Sequence, residues 1–74
     1  MITVIKIELT DHYAMMYRFD KPVAYNSKEM LHGFKKLMEH TLNYLSYSCD
    51  YTDGFVHIDS LWYLDAEDNK WWRI

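Results

Sequence analysis

The sequence has few residues that would cross-link the chain or interrupt its helices and strands. It has one cysteine, one proline and two glycines among 74 residues. A single cysteine cannot form an intrachain disulfide, which favours a reducing compartment. No stretch approaches the roughly 18 apolar residues of a membrane span, and residues 1–10 do not have the basic start and cleavage site of a signal peptide. We therefore expect a cytoplasmic protein with no membrane association.

The motifs of common enzyme and cofactor sites do not occur either. Two glycines, Gly33 and Gly54, cannot build a phosphate-binding loop or a dinucleotide fingerprint, and zinc-protease, serine-hydrolase and calcium-loop patterns are missing. On a helix His32 and His40 would lie about 12 Å apart, too far to share a metal ion. Cys49 has no second cysteine in a metal-binding or redox spacing. We predict a protein that is not an enzyme and that holds no cofactor or metal.

Aromatic and aliphatic residues are abundant instead. Half of the chain is hydrophobic and 18% is aromatic, which is enough apolar surface to build a core. The length allows a single domain, residues 1–74. Such a short domain buries only about 60% of the surface of its unfolded chain, so some of its 13 aromatic side chains must stay exposed. Small domains often gain the missing burial by association, and we expect a partner or a homo-oligomer.

Acidic residues are concentrated in the second half of the chain. Residues 1–37 hold six basic and four acidic residues, whereas residues 38–74 hold two basic and seven acidic ones. Nucleic-acid binding usually needs a basic face, so the formal net charge of −3 speaks against it. Two interpretations are open: an acidic surface that keeps the protein soluble, or one that attracts a partner protein with a basic surface.

Period-two alternation predicts a hairpin at the N-terminus. In residues 2–10, Ile5, Ile7 and Leu9 alternate with other side chains, as in a half-buried strand. Residues 13–20 alternate again. One side of this second strand carries Tyr13, Met15, Tyr17 and Phe19. We expect Lys21-Pro22 to end the strand, because proline cannot donate to a ladder.

Apolar spacings of three and four predict a helix of about five turns, with Ser27 as its N-cap. The apolar stripe comprises Met30, Leu31, Phe34, Leu37, Met38, Thr41, Leu42 and Leu45. Gly33 costs a helix about 1 kcal/mol relative to alanine, so we expect close packing there. Residues 46–54 are predicted to form a loop that closes with the turn Asp53-Gly54.

The remainder of the chain reads as a second hairpin. Residues 55–65 are predicted to be extended, and a polar turn at residues 66–69 leads into a short strand at residues 70–74. Simple alternation places Trp62 and Leu64 on the same side as Val56 and Ile58. A bulge at Asp59-Ser60 would interrupt this alternation, and whether residues 55–65 form one strand or two stays open.

The order of elements predicts an α+β fold of two layers. In this hairpin–helix–hairpin (ββαββ) arrangement, one amphipathic helix packs on a four-stranded sheet. A right-handed crossover would place the last strand parallel to the first, in the middle of the sheet. This topology resembles the β-grasp and immunoglobulin-binding domains. The resemblance rests on element order and implies no function; the chain ends in Trp72-Arg73-Ile74, not in the diglycine of ubiquitin-like modifiers.

One helix covers one face of such a sheet, so the other face is expected to be open. Large aromatic side chains beside arginine are typical of binding hot spots. The candidate contact residues on this face are Arg18, His57, Asp59, Tyr63 and Trp71. One of the adjacent pair Trp71 and Trp72 must point there, and which of the two is exposed stays open. The alternative is that these aromatic side chains only pack on one another.

Two further clusters are candidate contact sites. Tyr47 and Tyr51 follow the predicted helix, and tyrosine suits a contact surface because it loses little entropy on binding. Tyrosines there would equally well cover the edge of the core. Asp65, Glu67 and Asp68 lie at the polar turn, where a basic partner would meet them.

We therefore predict a small protein-binding module that acts through an acidic and aromatic surface. In size, acidity and lack of motifs the chain resembles the small inhibitor proteins of phages and mobile elements, many of which occupy a basic nucleic-acid site on a host protein. One alternative is a homodimer whose sheet faces pair and frame a small-ligand site near His57 and Arg18. The other is a single-stranded nucleic-acid binder whose bases stack on the open sheet face.

Overall fold

The protein is an α+β fold in which one helix packs on a four-stranded sheet. The computed structural model describes residues 1–52 and 56–74, with residues 48–52 described by their backbone alone. The elements are β1 (Ile2–Leu9), β2 (Ala14–Val23), α1 (Lys28–Thr52), β3 (Ile58–Asp65) and β4 (Trp71–Arg73). The predicted ββαββ order is confirmed. Within the described residues, no helix combines the length and the apolar character that crossing a membrane requires.

The sheet is antiparallel throughout and has the strand order β2-β1-β3-β4. β4 runs in the same direction as β1 but lies at the edge of the sheet beside β3, so the prediction that the last strand lies in the middle is wrong. β3 is eight residues long and β4 only three, so β3 offers β1 the longer ladder and takes the central position. The likeness to β-grasp domains thus ends at the order of elements.

The central strand β1 supplies most of the core. Ile5 lies between Tyr17 of β2 and Tyr63 of β3, on the side of the sheet that faces α1. Ile5 and Ile7 are fully buried, and each such side chain contributes about 1.5–3 kcal/mol. The buried hydrophobic cluster comprises Ile2, Ile5, Ile7, Leu9, Met15, Met30 and Leu37.

The edge strand β2 is longer than predicted. It continues through Pro22 to Val23, although we expected the proline to end it. Proline is tolerated on an edge strand where its missing N–H would face away from the ladder, and β1 is the one described neighbour of β2. The pairing register shifts between Ile2 and Val4, which accommodates the additional residues of β2.

A β-bulge at Asp59 interrupts the pairing of β3 with β1. Leu9 pairs with Ile58 and Glu8 with Ser60, so Asp59 is an additional residue without an opposite partner. An additional residue reverses the in–out alternation of every side chain beyond it. The interruption that the sequence left open at Asp59-Ser60 is therefore real, and β3 remains one strand.

The bulge determines which side chains of β3 lie on each face of the sheet. Leu61 and Tyr63 lie opposite Ile7 and Ile5 and pack against the core on the side of the sheet that carries α1. Trp62 and Leu64 consequently face the other side of the sheet. The prediction from simple alternation is wrong for residues 61–64, because it continued the phase of Ile58 through the bulge.

α1 begins where predicted and runs further. The Ser27 hydroxyl accepts the backbone N–H of Met30 at 3.2 Å, which confirms the N-cap. The 25 residues of α1 measure about 37 Å. The predicted loop at residues 46–54 is wrong as far as Thr52, since no glycine or proline interrupts the helix before that point. The predicted turn Asp53-Gly54 lies outside the described residues.

Candidate protein-interaction surface

The side of the sheet that faces away from α1 has no covering layer in the described part of the chain. α1 lies closest to β2 and β1, on the side to which Ile5 and Phe19 point. Cross-strand pairing then defines the opposite side, which we call the open face. It consists of Val4, Lys6, Glu8, Met16, Arg18, Ser60, Trp62, Leu64, Trp71 and Arg73.

Lys6 lies at the centre of the open face, beside two indole rings. Its Nζ is 5.4 Å from the ring centroid of Trp62 and 4.3 Å from that of Trp71. The same atom lies 3.3 Å from a carboxylate oxygen of Glu8, and the Lys6 side chain is only 13% exposed. A cation over an indole face is attracted by the ring quadrupole, by about 0.5–2 kcal/mol depending on exposure. The ammonium group thus lies where it attracts both rings.

Hydrogen bonds fix the Trp62 ring further. Its indole Nε1 donates to the Ser60 hydroxyl at 2.8 Å. The Ser60 hydroxyl in turn lies 3.5 Å from a carboxylate oxygen of Glu8 and 3.3 Å from one of Asp59. It has a single proton and donates it to one of the two carboxylates at a time. A ring held in one orientation loses little side-chain entropy when a partner covers it.

Exposed side chains border this aromatic centre. Met16 lies directly across from Lys6 and is 59% exposed. Arg18 on β2 and Arg73 on β4 lie at its two flanks, and both are exposed. Tryptophan, methionine and arginine are the residues enriched at the cores of protein interfaces. The open face therefore has the composition of a contact surface.

The structure separates two aromatic residues that were predicted to share the open face. Trp71 pairs with Leu64 and lies there, as does Arg18. Tyr63 pairs with Ile5 and packs towards α1, with its ring centroid 5.2 Å from that of Tyr25. The prediction that Tyr63 lies on the open face is wrong, because of the bulge at Asp59. Trp62 takes its place, and the Asp59-Ser60 pair was the one sequence signal that pointed to the exchange.

His57 directly precedes β3 and Asp59 is its second residue, and both are exposed. The His57 backbone binds Thr10, donating its N–H to the Thr10 hydroxyl at 3.1 Å and accepting the Thr10 N–H at 2.9 Å. Arg18 instead lies beside Val4. Six residues of strand separate Thr10 from Val4, or about 20 Å. A single copy of the chain therefore does not bring His57 and Arg18 together into one ligand site.

The predicted acidic turn is ordered by its own carboxylates. Asp65 accepts the N–H of Glu67 at 2.9 Å and lies 3.7 Å from the amino terminus. Asp68 accepts the backbone N–H of Lys70 and the indole N–H of Trp72, each at 3.0 Å. Glu67 projects into solvent and reaches the amino terminus only at 4.0 Å. Asp65 and Asp68 thus shape the turn, and Glu67 presents charge at its surface.

The tyrosines of α1 divide between the two roles considered for them. Tyr44 packs against the core, and its ring stacks on Tyr13 with centroids 4.9 Å apart. Tyr47 is 84% exposed. Tyr51, the other predicted contact residue of this cluster, lies outside the described side chains.

No metal-binding cluster among the described residues and no similar protein indicates a function. Among the described residues, no three histidine, cysteine or acidic side chains converge where a metal ion could bind. Comparison of the chain with protein-family models, with curated proteins and with solved structures finds no match in any of the three.

Proposed function

We propose that the protein is a binding module without catalytic activity, which contacts a partner protein through the open face. The observation that carries this proposal is the arrangement of Trp62, Lys6 and Trp71 on a sheet surface that no described element covers. Trp62 and Trp71 are partly exposed, and rigid aromatic side chains that a partner can reach bind strongly because little conformational freedom remains to be lost.

The charge distribution suggests the chemistry of the partner. The turn that carries Glu67 joins β3 to β4 and therefore borders the end of the open face at Trp71. A partner that meets both features has an apolar patch next to basic side chains. Covering such a surface would block any acidic ligand of the partner, including a nucleic acid, and this is the inhibitory mode that we propose.

Two adjacent tryptophans provide the test of the open face. Trp71 lies on the open face, whereas Trp72 pairs with Tyr63 on the other side of the sheet. Tagged Trp71→Ala and Trp72→Ala proteins are used as bait in lysate of the native cell, and the retained proteins are quantified by mass spectrometry. A hot-spot tryptophan contributes at least about 2 kcal/mol, so we expect Trp71→Ala to lose the partner about 30-fold. Trp72→Ala removes only the exposed hydrogen bond to Asp68, and we expect it to weaken retention far less. Equal retention by the two variants would refute the proposal.

Glu67 provides the matching test of charge. Its carboxylate makes no hydrogen bond in the described part of the chain and approaches only the amino terminus, at 4.0 Å, so replacing it leaves the hydrogen bonds of the turn intact. We expect Glu67→Lys to release the partner at lower salt than the native protein, with Glu67→Gln in between. Identical salt elution of all three proteins would show that the acidic turn takes no part in binding.

The open face also favours one alternative function. Arg18 and Arg73 flank Trp62 and Trp71, and single-stranded bases stack on such side chains. A labelled single-stranded oligonucleotide at low salt distinguishes the two functions. Binding that Trp71→Ala removes would favour the nucleic-acid function, and no binding would leave the protein partner as the ligand.

A further inference from the structure

α1 carries a second apolar surface that the sheet does not cover. Leu31 and Leu42 are 56% and 54% exposed, although both belong to the apolar stripe of the helix. Phe34, Met38 and Leu45 continue the same line at spacings of three and four residues and are only partly buried. We call these five residues the helix strip. It runs alongside the buried line through Met30, Leu37 and Thr41.

An apolar groove of about 260 Å³ adjoins the N-terminal half of the helix strip. It exists because α1 lies over β2 and β1 and leaves the space towards β3 unfilled. The groove is lined by Tyr25, Asn26, Met30, Leu31, Phe34, Met38, Leu61 and Ile74. Tyr25, Leu31 and Ile74 are each about half exposed on its rim. The molecule thus presents an apolar recess at one end of the strip and a protruding leucine, Leu42, towards the other.

We propose that a second copy of this chain covers the helix strip, with the two α1 helices antiparallel about a twofold axis. A twofold axis places the same surface on both copies, so the surface must complement itself. An antiparallel alignment brings Leu42 of each copy over the groove beside Leu31 of the other. Leu42 of each copy thereby fills the groove of the other, so the dimer contains this contact twice.

The charges along the strip agree with this orientation. Lys35 and Glu39 border the strip on its outer side, one helical turn apart, and both are exposed. Neither forms an ion pair with another described side chain. An antiparallel pair of helices sets Lys35 of each copy beside Glu39 of the other, and it also opposes the two helix dipoles favourably. A parallel twofold pair would instead place the Lys35–Glu39 flanks of the two copies on opposite sides of the contact, so neither charge would meet an opposite charge.

A second copy fits the helix strip better than an unrelated partner because the need for burial is intrinsic to the chain. A domain of this length, with a single cysteine, supplies a small core. The helix strip and the open face lie on opposite sides of the sheet. A dimer through α1 would therefore leave two open faces free, so that a partner with two sites would be bound with avidity. The dimer itself does not depend on the function proposed for the open face.

Charge-reversal variants of Lys35 and Glu39 test the proposed dimer. Lys35→Glu and Glu39→Lys proteins are prepared separately, one of them tagged, and their association is measured by sedimentation equilibrium. Each variant alone would oppose like charges across the axis, and we expect its dimer to dissociate at least tenfold more readily than the native dimer. An equimolar mixture restores both opposite-charge contacts, so we expect a mixed dimer as stable as the native one. Lys36→Glu, on the other flank of α1, is the control and is expected to leave the dimer unchanged.

Several results would overturn the proposal. One is a native chain that stays monomeric at the highest soluble concentration. Another is a dimer whose dissociation constant is the same in Lys35→Glu, Glu39→Lys and Lys36→Glu. A dimer that Trp71→Ala dissociates while Leu42→Ser leaves intact would place the contact on the open face instead. Because the partner assay depends on Trp71 and this assay on α1, failure of one proposal is distinguishable from failure of the other.

Discussion

Gly33 of α1 and the ring of Phe19 on β2 approach each other so closely that no methyl group fits between them. A Cβ atom at position 33 would lie 2.6 Å from two ring carbons of Phe19 and 3.4 Å from the Cδ1 atom of Ile5. The close packing expected at this glycine is therefore confirmed. This close contact keeps α1 over β2, so the space between α1 and β3 is left as the groove.

Gly33→Ala is expected to destabilise the protein, even though alanine is the better helix former. Alanine gains about 1 kcal/mol of helix propensity, whereas overpacking against a ring costs about 1–3 kcal/mol. We expect a net loss of up to about 2 kcal/mol in the free energy of unfolding, measured in urea. In a Phe19→Ala background the obstacle is gone, and the same substitution should stabilise by about 1 kcal/mol. A stabilising effect in both backgrounds would show that the ring moves aside freely.

Leu61 and Leu64 provide a test of the faces of β3. Leu61 is partly buried against the core, on the side of the sheet that carries α1, whereas Leu64 lies on the open face. Truncation of a core leucine leaves a cavity and costs about 2–5 kcal/mol. We expect Leu61→Ala to cost about 2 kcal/mol and Leu64→Ala about half as much, measured by urea unfolding. The opposite order would mean that β3 keeps its alternation through Asp59.

Lys6→Met tests whether the charge of Lys6 holds the two indole rings. Methionine preserves much of the side-chain volume and removes the ammonium group, so the cation–π attraction and the ion pair with Glu8 are both lost. We expect a loss of about 1 kcal/mol in stability and a change in tryptophan fluorescence. Lys36→Met, at an exposed position of α1, is the control and should change neither. A Lys6→Met protein with native stability and native fluorescence would show that ring packing alone positions Trp62 and Trp71.

The elements of this protein follow from local patterns in its sequence. Alternating isoleucines define β1, and apolar spacing with the Ser27 cap defines the start of α1. These patterns also determine the α+β class, because one apolar helix stripe and one apolar sheet side must cover each other. The length of α1 was underestimated, since tyrosine, serine and cysteine at residues 46–52 have weak preferences that permit both helix and loop.

The candidate surfaces were decided by contacts between distant parts of the chain. Whether Asp59 bulges depends on how Glu8 and Leu9 pair with β3, and a change of one residue in that pairing moves every following side chain to the other face. For this reason Trp62 lies on the open face and Tyr63 lies on the side of α1. The groove beside α1 likewise depends on where Phe19 and Gly33 meet. Local sequence therefore determined which elements form, and long-range pairing and packing decided which of their side chains meet solvent.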